Sequence, residues 1–217
     1  MIEQEFIEKF IDINQPITVR PNRFSTIGIL LRAARKLSGR DLSTGLYVMN
    51  EINIDNFKDQ IYHSNLFSGL INYLIFLEQV GSIFKLKSAK KNGIHIALEN
   101  FSNLNKKQIL AVRALRNSLT HNYGLATENN PKNLENRHKF TLSSERNDEI
   151  VKLPSTPWTG DFSNKSDCSN TIIFITNLED LIENVYLKLK KEVSKNNVEI
   201  SLSNGLDELK ARFTIIA

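Results

Sequence analysis

The stretch "LRNSLTHNYG", Leu115–Gly124, closes a run of helical periodicity and places Arg116, Asn117, His121 and Tyr123 close together in the chain. Upstream, "LNKKQILAVRALRNSLTH" carries Val112, Leu115 and Leu119 as an inward apolar stripe, the pattern of a helix with one buried face. Asn103 is the expected N-cap and Gly124 the expected stop. Arg116, Asn117, Thr120 and His121 fall mostly outside the stripe. Asn117 and His121, four apart, share a face, so the amide can orient the imidazole. Arg116 and His121, five apart, stand about 140° apart around an ideal helix. They converge only if the helix end bends or if two copies of the helix face each other.

These residue types suit one chemistry. A guanidinium pairs with phosphate through two parallel hydrogen bonds and is always charged. An imidazole titrates near neutral pH and moves protons. Together they fit metal-independent cleavage of RNA, in which histidine assists attack of a ribose 2′-hydroxyl and arginine stabilises the charge on phosphorus. The bare R-x4-H pair also has a structural explanation, because cations interact well with the negative end of a helix.

The fuller pattern, R-N-x3-H-x-Y at the end of a helix with a polar face, resembles the signature of HEPN domains. The resemblance implies a mainly α fold, a helical bundle that usually dimerises, and in many members a metal-independent endoribonuclease of toxin–antitoxin, phage-defence or CRISPR systems. Carried over residue by residue, it implies catalytic roles for Arg116 and His121, with Asn117 supporting them in a cleft shared by two protomers. Tyr123 matches the R-x4-H-x-Y variant of HEPN toxins, in which the tyrosine is adenylylated by a nucleotidyltransferase-type antitoxin. Aromatic packing over the helix end is the competing explanation for Tyr123, and the favoured one. Residues 25–125 are the extent of the resemblance, and only 116–123 carry the motif.

The rest of the chain bounds this reading. With 217 residues, 41% hydrophobic and 24% charged, it has the composition of an ordinary globular protein. A net charge of +4 and pI near 9.1 permit a polyanionic partner such as RNA without requiring one. Cys168 stands alone, so a reducing, cytoplasmic compartment is expected. "LFSGLINYLIFLEQVGSIF" (66–84) has the length of a membrane span. Asn72, Glu78 and Gln79 interrupt it, and charge inside a span is costly, so a buried helix and no membrane partner are expected.

Residues 2–13 read as a short amphipathic helix, and Ser25 as the cap of a second that ends at Gly39. On that second helix Arg32, Arg35 and Lys36, with Arg40 just beyond, form a basic face. Together with Arg113 they are candidate RNA contacts. Residues 54–84 read as helix, followed by a basic connector, "KLKSAKKNG", and "IHIAL", a short strand or a helix start. After residue 126 the character changes. "TENNPKNLEN" is a polar loop, and "HKFTL" and "EIVKL" read as strands joined by the turn-like "SSERND". "TIIFIT" is a third strand, and Asn177 caps a last long helix. Trp158 reads as a loop anchor.

The expected architecture is one domain over 1–217. Its helical core covers about 25–125 plus 177–195, with a small antiparallel β insertion over 127–176. No cofactor is expected: P-loop, dinucleotide and serine-hydrolase motifs are absent. His63, His95 and His138 lack zinc-ligand spacing. The leading expectation is a metal-independent endoribonuclease acting on RNA as a homodimer. The alternative is a non-catalytic HEPN-like module that binds RNA, nucleotide or a partner protein. A third is an interaction protein in which Arg116 and His121 only cap a helix.

Overall fold

The computed structural model describes residues 3–48, 56–87, 93–127, 137–163 and 166–216, with the side chains of 56–63 excepted. The fold is mainly α. In order the elements are α1 Glu3–Ile11, β1 Thr18–Val19, β2 Asn22–Ser25, α2 Thr26–Leu37, α3 Asn56–Ile83, β3 Phe84–Leu86, α4 Ile94–Phe101 and α5 Lys106–Asn122. They continue with β4 Lys139–Ser143, β5 Val151–Lys152, β6 Asn170–Phe174, α6 Ile175–Ser194, β7 Val198–Ile200, α7 Gly205–Phe213 and β8 Thr214–Ile216. Residues 128–136 of the expected polar loop and the middle of the basic connector, 88–92, lie outside the described residues.

The chain divides into two compact units, Met1–Phe101 with Glu183–Ala217, and Ser102–Ile182. That boundary cuts the expected helical core between α4 and α5. The helix bearing Arg116 and His121 therefore groups with the β strands, not with α2 and α3.

In the first unit α3 is the central helix. Leu66, Leu70, Tyr73, Leu74, Phe76, Leu77, Val80 and Ile83 are all buried. By length and composition its stretch Ser64–Ile83 could cross a membrane, yet 56% of it is buried inside the protein, which fits a core helix. Ser25 caps α2 as expected, its hydroxyl accepting from the Gly28 amide at 3.1 Å. "IHIAL" resolves as helix α4. Its approach to α3 is so close that a Cβ on Gly81 would fall 2.3 Å from the Gly93 carbonyl oxygen, so only glycine fits there. The tail left undefined by periodicity completes two small sheets. β8 pairs antiparallel with β2, and β7 with β3.

In the second unit the sheet order is β4-β6-β5. This corrects the expected antiparallel insertion. β4 runs parallel to β6, with Phe140 opposite Thr171 and Leu142 opposite Ile173, while β5 runs antiparallel to β6. β4 and β5 do not pair with each other. β6 is the strand with Thr171, Ile173 and Phe174 all buried, so it takes the centre, where both edges are hydrogen-bonded. The "SSERND" segment makes side-chain turns instead of a tight hairpin: the Ser143 hydroxyl accepts from Glu145 N, and Asn147 Oδ1 from Glu149 N. Asn177 is not a cap, because α6 already starts at Ile175. Its side chain clamps the backbone of Asn147 instead. Trp158 is 2% exposed and donates to the Asp161 carbonyl at 3.0 Å, as a loop anchor should.

Candidate functional site

α5 starts two residues later than expected. Its N-cap is Asn105, not Asn103, and the cap is reciprocal. Asn105 Oδ1 accepts from Gln108 N at 3.0 Å, and Gln108 Oε1 from Asn105 N at 3.1 Å. The glutamine three residues on decides between two asparagines that composition cannot separate. The Gln108 side chain also donates to the Val151 carbonyl, tying the start of α5 to β5.

The helix buries Ile109, Ala111, Val112, Ala114, Leu115, Ser118 and Leu119. Its solvent side shows Arg113, Asn117 and His121 exposed and Arg116 half-buried. Arg116 Nη1 donates to Asn117 Oδ1 at 2.9 Å, so the asparagine oxygen steadies the guanidinium, where it was expected to orient the imidazole. The Thr120 hydroxyl bonds back to the Arg116 carbonyl at 2.8 Å.

α5 is regular through Asn122. No bend brings Arg116 and His121 to one point within this helix, and about 140° separates their directions. The helix ends two residues before the glycine expected to stop it. Tyr123 itself is left-handed, with φ 49°, and the Gly124 amide reaches back to the Ser118 carbonyl at 3.2 Å in the bond that closes such helix ends. The expected aromatic packing of Tyr123 is not found, for its side chain is 74% exposed.

The expected basic face on α2 does not form either. Arg32 and Lys36 are exposed, but Arg35 is 1% and Arg40 5% exposed. Arg35 donates from Nε and Nη2 to the two carboxylate oxygens of Glu183, at 2.9 and 2.7 Å. Its Nη1 reaches the carbonyls of Leu42 and Ser43. Tyr73 adds a hydroxyl to the same carboxylate at 2.7 Å. Arg40 donates to the Gly45 carbonyl and lies over the rings of Tyr47 and Tyr73. A guanidinium can be buried only when its charge and donors are met, and for Arg35 the Glu183 carboxylate and the two carbonyls meet them. Arg35 and Arg40 are therefore structural, and of the expected face only Arg32 and Lys36 remain exposed. No local signal in the sequence points from Arg35 to Glu183, which lies 148 residues away.

Among the described residues no cluster of three or more histidine, cysteine or acidic side chains could hold a metal ion. No protein-family model matches the chain, nor does any curated protein or solved structure.

Proposed function

We propose that this chain is a HEPN-like, metal-independent endoribonuclease, acting as a homodimer in the cytoplasm as part of a bacterial toxin–antitoxin or phage-defence system. The observation that carries the reading is the placement of Arg116, Asn117 and His121 on the last two turns of one regular helix. There the guanidinium is steadied by the amide and the imidazole is exposed.

His121 takes the proton from a ribose 2′-hydroxyl. The 2′-oxygen forms a bond to phosphorus, the bond from phosphorus to the 5′-oxygen breaks, and that oxygen leaves as a hydroxyl after gaining a proton. Arg116 neutralises the charge that builds on the phosphoryl oxygens. The upstream product ends in a 2′,3′-cyclic phosphate. Because α5 does not bend, Arg116 of one protomer acts beside His121 of a second copy, and the two α5 ends line one groove. Tyr123, an exposed residue, is the one that a nucleotidyltransferase-type antitoxin would modify to block the groove.

The test is cleavage of a mixed RNA substrate in EDTA by the wild type beside His121→Ala. Cleavage by the wild type alone, leaving cyclic or 3′-phosphate ends, is the expected result. Retention of RNA without cleavage by either would replace the reading with a binding module. Equal cleavage by both would place the chemistry elsewhere.

A further inference from the structure

The charge pattern of α5 runs against what helix stability favours. The helix macrodipole makes acidic residues stabilising in the first turn and basic residues destabilising there. α1 opens with Glu3 and Glu5, and α7 with Asp207 and Glu208. α5 instead opens with Lys106 and Lys107, and from Lys106 to Asn122 it contains no acidic residue at all. Both lysines and Arg113 are exposed. Among the described residues none of the three takes part in an ion pair. Helix stability supplies no reason for two lysines, unpaired among the described residues, at the positive end of an acid-free helix, whereas a polyanion does.

The geometry gives the direction. At 3.6 residues per turn, Lys106, Arg113, Asn117 and His121 fall within an arc of about 80°, along a line of about 22 Å. Lys107 lies about 40° beyond the edge of that arc. On one straight helix face Lys106 and Arg113 stand in file with Asn117 and His121, which matches the phosphates of one strand and leaves its bases pointing away.

We propose that the exposed face of α5 is a track for the sugar–phosphate backbone of single-stranded RNA. Lys106, Lys107 and Arg113 hold the phosphates that lead away from the one engaged at Arg116 and His121. The choice of RNA and the position of the cleaved phosphate rest on the ribonuclease reading above. The track binds without reading sequence, since contacts to phosphate position a strand and do not specify it.

The experiment measures binding of a fluorescent single-stranded RNA across a salt series, in EDTA, with His121→Ala as the silenced parent. Each lost phosphate contact lowers the slope of log affinity against log salt by about 0.7 for a single strand. Lys106→Gln/Lys107→Gln/Arg113→Gln in that parent is expected to lower it by about 2. Arg32→Gln/Lys36→Gln, which removes exposed cations from α2, leaves it nearly unchanged. Lys106→Glu/Lys107→Glu separates binding from folding, because its thermal midpoint should rise while its RNA affinity falls. An unchanged slope in the triple variant overturns the track, as does an equal loss in the α2 variant. If the unmutated protein cleaves RNA while the slope does not move, the track fails and the ribonuclease reading stands. If the slope moves as expected and nothing is cleaved, the ribonuclease reading fails and the track stands. Absence of any RNA binding overturns both.

Discussion

Arg35 and Arg116 both sit near the C-terminal end of an amphipathic helix beside other basic residues, and the structure treats them in opposite ways. Arg35 is sealed in the first unit, facing a carboxylate, two carbonyls and the ring of Tyr186 at 5.5 Å. Arg116 is half-buried in the second unit, steadied by the side-chain oxygen of the residue after it. The first guanidinium links α2, α3 and α6 through Glu183 and Tyr73. The second lies five residues before an exposed histidine on a helix that contains no acidic residue. A guanidinium saturated by internal acceptors has nothing left to offer a phosphate. The difference between a brace and a candidate catalytic group therefore lies in burial, not in the residue or its helix.

Exchanging roles should expose this contrast most sharply. His121→Ala is expected to lower RNA cleavage by about 10²–10⁴-fold, the usual contribution of a general acid–base group. As a change at an exposed position it should shift stability by no more than about 0.5 kcal/mol. Glu183→Ala should do the reverse. It leaves a buried guanidinium uncompensated and should cost about 3–5 kcal/mol in chemical denaturation, with the fraction that remains folded still cleaving. If Glu183→Ala proves mild, Arg35 is not the brace described here.

A smaller effect tests the sheet that shares a unit with α5. His138 is 6% exposed, stacks on Phe140 and pairs through Nδ1 with the Thr171 hydroxyl at 2.8 Å. Burial pushes its pKa down to about 4. The unfolded chain titrates near 6.5, so between about pH 6.5 and 4 it binds more protons than the folded chain does. Stability contributed by neutral His138 is thus complete above about pH 6.5 and is lost as pH falls, by up to about 3 kcal/mol. Unfolding curves from pH 7 to 4 should show that decline, and His138→Phe should flatten it.

The smallest expected effect is at the helix end. A left-handed conformation costs a side-chain-bearing residue about 1–2 kcal/mol, and glycine avoids that cost. Tyr123→Gly should therefore raise stability by about 1 kcal/mol in thermal unfolding, and Tyr123→Phe should leave it unchanged. A gain in stability on removing this exposed ring would fit a residue kept for a role other than packing. No gain would mean that the ring compensates for its own backbone strain.

How far the chain could be read in advance follows the range of the interaction involved. Ser25 was legible as a cap because its partner, Gly28, is three residues away. The central helix was legible from its long apolar run and the last long helix from its apolar periodicity. Reading Asn103 as the cap of α5 missed a reciprocal bond between Asn105 and Gln108, a local signal that was present in the sequence. Placing Asn177 at the start of α6 failed because the helix reaches back into Ile175, directly from a strand whose own apolar residues gave no sign of a change of period. Strand order was not legible, since which of three short strands is central depends on pairings made across loops of differing length.

The sequence by itself determined the mainly α character, the stripe that turns α5 inward at Val112, Leu115 and Leu119, and the grouping of Arg116, Asn117, His121 and Tyr123 at one helix end. All are consequences of residues within a few turns of one another, where helix geometry alone sets direction. Only the tertiary structure decided that Arg35 and Arg40 are buried, that β6 runs parallel to β4, and that Tyr123 stands in solvent at a left-handed position. Each of those outcomes depends on which distant group supplies a hydrogen bond, a charge or a packing surface, and periodicity along the chain does not encode that choice.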